Sequence, residues 1–197
     1  TLICETHGIT VTSYTCVFFI ADNSGTAYVP EFFISGGKEF KINCMKHIII
    51  RKTSLFPADK NMIFNCLTHL DTLRYIASPY ASFEPLNCGE NLIWEEGGSF
   101  DFSFRLFSFI PLGRHRINVI DFDSERGIYT EESNPHVPIW NHRIYLADGV
   151  DGTEYTDEVE IYAGWKTFFV ALWAKMFYAH RQRKWIKLLM TADRKDL

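Results

Sequence analysis

The spacing of apolar side chains divides the chain into a short β-rich part and a longer part that ends in a helix. Two apolar, β-branched stretches, 9–20 and 26–34, flank a turn-like Ala-Asp-Asn-Ser-Gly segment and predict a hairpin. A Ser-Gly-Gly sequence then predicts a short linker. We therefore expect an N-terminal β-rich extension over residues 1–38 and a main domain over residues 39–197.

The main domain begins with a strand and two short helices. Residues 47–53 are β-branched and apolar and predict the first strand. Pro57 falls in the first turn of a predicted helix, where its missing N–H costs little. A second short helix, over 72–77, should stop before Pro79, because a residue that precedes proline disfavours the helical conformation.

A run of antiparallel strands follows the two helices. In residues 99–110 the aromatic and polar positions alternate, and this alternation breaks at 107–109, which predicts a bulge or bend. Residues 111–113 predict a turn, and 92–96 predict a short, weak strand. The remaining predicted strands are separated by short turns and describe a meander: 114–122, 127–133, 139–147 and 153–162.

The last predicted element is a long helix over residues 165–190. Phe169, Trp173, Met176 and Phe177 lie about one helical turn apart. They belong to a predicted apolar stripe of nine side chains: Phe168, Phe169, Leu172, Trp173, Met176, Phe177, Trp185, Leu188 and Leu189. Such a stripe requires a large apolar surface opposite it, and the inner face of the sheet supplies one. The predicted fold is therefore α+β, a curved antiparallel sheet of six or seven strands around a long C-terminal helix.

Several segments resemble proteins of the START-like or SRPBCC superfamily. WNHRIYLADGVDGTEYTDEVEIYAG, followed by LWAKMFYAHRQRKWIKLL, is similar to the last two strands and final helix of uncharacterised bacterial members. SLFPADKNMIFNCLTHLDTLRYIASP and FSFRLFSFIPLG are also similar to family segments. The resemblance spans about 46–190 and implies the helix-grip fold of polyketide cyclases, lipid-transfer domains and pollen allergens. It also implies an apolar ligand between sheet and helix, without choosing among transport, cyclase chemistry and protein interaction.

The candidate ligand site consists of positions that should face inward from the strands and the final helix. Most of them should serve as core. His142 and Asp157 differ, because they are polar residues within the apolar faces of two neighbouring strands. They could orient a ligand or act as acid and base, but we favour the alternative that they bond to each other or meet water. The candidate residues are Phe102, Phe104, Trp140, His142, Tyr155, Asp157, Phe169, Trp173, Met176 and Phe177.

Three polar residues, His180, Arg181 and Gln182, interrupt the apolar stripe late in the final helix. They could guard a cavity mouth and contact the polar end of a ligand. The interpretation we favour is that they lie in solvent beyond the edge of the sheet.

Composition and charge exclude several classes of protein. Lys and Arg total 20 against 24 Asp and Glu, and the net charge of −4 disfavours nucleic-acid binding. Five cysteines without a Cys-x-x-Cys pair favour a reducing cytoplasm. No segment has the length and hydrophobicity of a transmembrane helix. No motif predicts a metal, a cofactor or an activated nucleophile.

Aromatic residues make up 16% of the chain, so a ring-rich core or pocket is expected. The sequence therefore favours a protein that binds or transports a hydrophobic or aromatic small molecule or lipid, without catalysis. Two alternatives remain: a cyclase or dehydratase acting on a polyketide-like substrate, which would use His142 and Asp157, and an interaction module without a cavity.

Overall fold

The computed structural model describes residues 47–192 apart from positions 88, 90, 91 and 126, together with the backbone of three short N-terminal strands. The chain forms two compact units, residues 1–47 and 48–197. In the first unit Ile20 pairs with Tyr28 across the predicted turn, and most of the predicted 9–20 strand lies outside the described residues. The strands of this unit form an antiparallel sheet in the order β1-β2-β3: β1 (Ile20–Ala21), β2 (Ala27–Glu31) and β3 (Asn43–Met45).

The second unit has the predicted helix-grip fold, a seven-stranded antiparallel sheet with a long C-terminal helix. The sheet order is β4-β10-β9-β8-β7-β6-β5, so the first strand of the unit pairs with its last. The elements are β4 (Ile48–Phe56), α1 (Lys60–Leu67), α2 (Leu70–Ala77), β5 (Ala81–Pro85), β6 (Ser99–Leu106), β7 (Ile110–Asp123), β8 (Gly127–Asn134), β9 (Val137–Gly149), β10 (Gly152–Tyr162) and α3 (Thr167–Ala192).

Local side chains set the start of α1 and the end of α2, but Pro57 lies before the Asp59 N-cap and not in the first helical turn, where it was predicted. The Asp59 carboxylate accepts a hydrogen bond from Met62 N at 2.8 Å and caps the start of α1. The second helix ends at the Ser78-Pro79 dipeptide. Ile63 of α1 and Leu70 and Ile76 of α2 are buried, so both helices pack their apolar faces against the rest of the unit.

The N-terminal half of α3 turns a different face to the sheet from the one predicted, whereas Phe177, Trp185 and Leu189 of the predicted stripe are buried as expected. The buried positions of α3 include Ala171, Ala174, Tyr178, Trp185 and Leu189, which recur at three- and four-residue intervals. The two alanines allow the N-terminal half of the helix to approach the sheet closely. As a consequence, several large side chains of the predicted stripe remain at least about half exposed: Phe168, Phe169, Leu172 and Met176.

Three predicted details of the strands are wrong. The break in alternation is a tight turn at Phe107 and Ser108, both with positive φ, which separates β6 from β7. Residues 111–113, predicted as a turn, lie inside β7. Residues 92–96 form no strand, and Ile93 makes only an isolated bridge. β6 pairs with β7 on one side and on the other with β5, an unpredicted strand of five residues that ends in proline.

Candidate ligand cavity

A cavity of about 740 Å³ lies between the inner face of the sheet and α3. This volume falls in the range of small-molecule sites, about 300–1,000 Å³. The sheet contributes ring-bearing walls such as Phe83 and Trp140, and α2 contributes the aliphatic side chains of Leu73 and Ile76. Rings from α3, including Trp173, form the opposite wall. The surface of the cavity is therefore mostly apolar, with polar groups concentrated along one part of the sheet.

Most of the predicted ligand residues line this cavity, and four do not. Phe102 is fully buried in the core, where its ring meets those of Phe83 and Trp94, and Tyr155 stacks on Phe56 at 4.5 Å. Asp157 is buried and bonded to His142, and Met176 is 49% exposed because of the rotation of α3. The predicted residues that do line the cavity are Phe104, Trp140, His142, Phe169, Trp173 and Phe177.

The cavity opens near the N-terminal end of α3. Trp165 and Phe169 border the cavity and yet are 84% and 63% exposed. His136, in the turn between β8 and β9, also borders the cavity and is exposed. The exposed rings would meet an entering apolar molecule first, which makes this end the natural entrance.

Alternating imidazole and carboxylate groups cross four neighbouring strands on the inner face of the sheet. His115 Nε2 on β7 lies 2.8 Å from Glu132 Oε2 on β8. Glu132 Oε1 lies 3.9 Å from His142 Nδ1 on β9, and His142 Nε2 lies 2.8 Å from Asp157 Oδ1 on β10. His115, Glu132 and His142 border the cavity, whereas Asp157 lies behind them. We call these four residues the inner-face network.

Neighbouring side chains fix the orientation of this network. Asn134 Nδ2 donates to His115 Nδ1 at 3.4 Å, so the opposite ring nitrogen of His115 carries the proton and donates to Glu132. Thr130 Oγ1 donates to the other Glu132 oxygen at 2.7 Å. Glu132 is only 11% exposed, and both of its carboxylate oxygens accept hydrogen bonds from within the protein.

Both carboxylates of the inner-face network remain ionised. Burial alone would raise the pKa of Glu132, but the hydrogen bond from His115, supported by that from Thr130, outweighs burial and leaves that pKa below its usual value. Burial acts on Asp157 in the same way, and the hydrogen bond from His142 and the charge of Arg181 lower its pKa below the usual value. The network therefore places two negative charges beside an apolar cavity.

The C-terminal half of α3 adds polar groups that the sequence analysis placed in solvent. Arg181 is 6% exposed and Gln182 is 1% exposed, so that interpretation is wrong for both residues. Arg181 borders the cavity. His180 donates to the Ser78 carbonyl at 2.8 Å and ties α3 to the end of α2. The helix continues across the sheet past this point, which is why these residues are covered.

His115 and Glu132 were not among the predicted site residues, although the inward-facing alternation of their strands includes both. His115, Ile117 and Val119 alternate inward on β7, and all three are buried. On β8 the same period connects Ile128 and Thr130 to Glu132. Extending each apolar alternation by two residues would have identified them.

Two kinds of feature are absent from the described part of the chain. Within it, no cluster of three or more His, Cys, Asp or Glu side chains is placed to hold a metal ion. Nor does any described helix have the length and hydrophobicity needed to cross a membrane.

Comparison with known proteins supports the fold and leaves the chemistry open. Residues 94–189 match a family model described as a domain of unknown function, DUF8410. No protein among curated sequences matches the chain. The family model covers slightly less than half of the chain, and its description assigns no activity.

Several solved structures have a similar fold at low sequence identity. A protein from Chromobacterium violaceum is 13% identical, with 72% of this chain and 96% of that one covered and a TM-score of 0.56. Ara h 8.0201 is 10% identical, with 74% and 99% covered and a TM-score of 0.56. Truncated norcoclaurine synthase from Thalictrum flavum is 14% identical, with 73% and 93% covered and a TM-score of 0.53. At these identities the likeness concerns the fold alone.

Proposed function

We propose that this protein binds or transports a hydrophobic or aromatic small molecule, such as a lipid, in the cavity between the sheet and α3. The observation that carries this proposal is the cavity itself, about 740 Å³ in volume and lined mainly by aromatic and aliphatic side chains. An interaction module without a ligand would instead fill this interior with side chains, because protein cores are close-packed. The exposed rings of Trp165 and Phe169 at the entrance support the passage of an apolar molecule.

Native mass spectrometry of freshly purified full-length protein tests the proposal directly. We expect a co-purified small molecule, or, after delipidation, saturable binding of the hydrocarbon dye diphenylhexatriene with enhanced fluorescence. Absence of a bound molecule together with absence of dye binding would contradict the proposal. Competition between the dye and the co-purified molecule would link both to the same cavity.

A reducing, cytoplasmic location is part of the same proposal. Its support is compositional, since the chain has five cysteines and no Cys-x-x-Cys pair. Labelling of thiols in denatured, unreduced protein taken from its native cell should reveal five free thiols, and fewer would indicate disulfides.

A second candidate function is general acid–base catalysis on a molecule held in the cavity. The observation that favours it is the position of His142, whose two ring nitrogens lie 2.8 Å from Asp157 and 3.9 Å from Glu132. An imidazole between two carboxylates can pass a proton, and both His142 and Glu132 border the cavity. The cyclase or dehydratase reaction anticipated from the sequence would use this arrangement.

Nitrobenzisoxazole provides a probe of this second function. A base removes the proton on the isoxazole carbon next to nitrogen, the N–O bond breaks as the nitrile forms, and a coloured cyanophenolate results without any other reactant. Elimination of the probe by the wild-type protein that is lost in Glu132→Gln would support the catalytic function, provided that Glu131→Gln retains it. Glu131 is an exposed neighbour of Glu132 on β8. Equal rates in both variants and in buffer would favour the binding function alone.

A further inference from the structure

Arg181 is a buried cation that borders an apolar cavity. Its side chain is 6% exposed, and its Nε donates to no atom of the residues that the structure describes. The guanidinium carbon lies 5.3 Å from the centre of the Tyr178 ring, which is a cation–π contact. This contact does not provide a hydrogen-bond acceptor for the Nε–H group. A buried charged donor without an acceptor is costly, so this position calls for an explanation.

The surrounding charges keep Arg181 ionised. Burial alone would lower the pKa of Arg181, but the negative charge of Asp157, supported by that of Glu132, raises the pKa above its usual value. The guanidinium therefore always presents its planar set of N–H donors. Asp157 is itself bonded to His142 and Gln182, so its acceptor capacity is directed elsewhere.

A second residue of the cavity wall on the same helix also carries an unpartnered buried donor. Trp173 Nε1 is buried and has no hydrogen-bond partner among the described residues. Trp173 precedes Arg181 by eight residues, which corresponds to about 12 Å along an α-helix. The helix wall of the cavity thus offers donors and no acceptors at these two positions.

We propose that Arg181 donates hydrogen bonds to an oxygen atom of an uncharged apolar ligand, an oxygen of the ketone, ester or amide carbonyl class. This inference rests on the proposed binding function and specifies the ligand that the cavity accepts. The oxygen lies at the Arg181 end, and the apolar body extends along α3 towards the entrance at Phe169, twelve residues earlier or about 18 Å.

The charge of the site favours a neutral carbonyl over a carboxylate. Glu132 and Asp157 already place two ionised carboxylates near a single guanidinium. A ligand carboxylate would add a third negative charge in a poorly screened interior, where like charges repel strongly. A carbonyl oxygen accepts the same hydrogen bonds without that repulsion.

Two dyes and one substitution separate this inference from the binding function itself. Diphenylhexatriene is a pure hydrocarbon, whereas Nile red is an uncharged dye with a ring carbonyl. In Arg181→Met, which keeps length but removes all donors, Nile red should bind about tenfold or more weakly. Diphenylhexatriene should bind within about twofold of the wild-type value, because it makes no hydrogen bond. The ratio of the two affinities is thus the diagnostic quantity.

Controls assign each outcome to one of the proposals. Lys175→Met, an exposed change on the same helix, should leave the affinity ratio unchanged. Arg181→Lys keeps the charge but not the planar fork, and its ratio should fall between those of the wild type and Arg181→Met. It also serves as the test variant if circular dichroism shows Arg181→Met unfolded.

Failure of the inference is distinct from failure of the binding function. If wild-type protein binds neither dye, the binding function fails. If it binds diphenylhexatriene and the Arg181 variants change neither the ratio nor the Nile red affinity, the carbonyl contact is overturned and the binding function stands. If Arg181 governs binding of the anionic dye anilinonaphthalene sulfonate and not of Nile red, the ligand is an anion, and the uncharged class is overturned.

Discussion

Gln182 on α3 donates a hydrogen bond through Nε2 to Asp157 Oδ2 on β10, at 2.8 Å. The same nitrogen donates to the Lys52 carbonyl at 2.7 Å, and its Oε1 accepts from Ser54 Oγ at 2.7 Å. One buried side chain thereby joins the helix to two neighbouring strands of the sheet, β10 and β4. The C-terminal half of α3 is fixed by polar contacts, while the rings at its other end border the cavity entrance.

Replacement of Gln182 by leucine should destabilise the protein by about 1–3 kcal/mol. The substitution removes the two hydrogen bonds that Gln182 donates and the one that it accepts. Asp157 Oδ2 and the Lys52 carbonyl then lose their donor, and an unsatisfied buried polar group costs about 1–3 kcal/mol. Urea unfolding followed by circular dichroism measures the change in free energy of unfolding. Arg183→Leu, an exposed change one residue later, should have less than about 0.5 kcal/mol of effect. Equal effects of the two substitutions would contradict the structural role of Gln182.

The inner-face network should make stability depend on pH in the acid range. Glu132 and Asp157 have folded-state pKa values below their usual values, so the unfolded chain binds protons more readily than the folded one. Their contribution to stability is fully present above the unfolded pKa values, near about 4, and is lost as the pH falls through the lower folded values. Urea midpoints measured across this range should therefore fall with falling pH.

Glu132→Gln provides the matched measurement for this dependence. The amide cannot titrate, so the slope of stability against pH below about 4 should be shallower than in the wild type. Glu131→Gln changes an exposed carboxylate on the same strand and should retain the wild-type slope. An unchanged slope in Glu132→Gln would show that the buried carboxylate does not contribute.

The order and type of the main elements were predictable because each rests on a local signal. Period-two alternation identified the strands of the meander, and Pro79 marked the end of α2. The strand Ala81–Pro85 was missed, because five residues ending in proline carry too little period to distinguish from a loop. The turn at Phe107 was misplaced because two non-glycine residues adopt positive φ there, a conformation that aromatic residues seldom signal.

The rotation of α3 was beyond the reach of the sequence pattern. Apolar residues surround the N-terminal half of this helix on several faces, so the period does not select one. Close approach through Ala171 and Ala174 selects the buried face, and that is a property of packing against the sheet. The same packing covers Arg181 and Gln182, which a hydropathy pattern assigns to solvent.

The N-terminal extension should be dispensable for folding of the main domain. Residues 1–47 and 48–197 form separate compact units, and all strands described in the helix-grip sheet come from the second unit. Deletion of residues 1–38 should therefore leave a domain with cooperative thermal unfolding and unchanged helix content by circular dichroism. Loss of the cooperative transition in the truncated protein would show that the extension contributes to the core.

Two tryptophans of α3 provide a matched test of which rings border the cavity. Trp173 borders the cavity beside the ring of Trp140, at 6.0 Å between centroids, and Trp185 is fully buried and packed near Phe56 and Tyr155. Trp185→Ala should lower the free energy of unfolding by about 3–5 kcal/mol, the usual range for a packed ring. Trp173→Ala should cost less, because part of the ring meets the cavity and has no packed neighbour to lose.

Dye binding should reverse the ranking of the two substitutions. Trp173→Ala, like Trp140→Ala, should change the affinity for diphenylhexatriene under conditions where circular dichroism shows the variant folded. Binding becomes weaker if the lost ring contact dominates and tighter if the enlarged cavity fits the dye better, and either change supports a wall position. Trp185→Ala, measured where it remains folded, should bind the dye as the wild type does because its ring lies outside the cavity wall. A heavy loss of stability in Trp173→Ala with unchanged dye binding would instead describe a filled core and favour the interaction-module alternative.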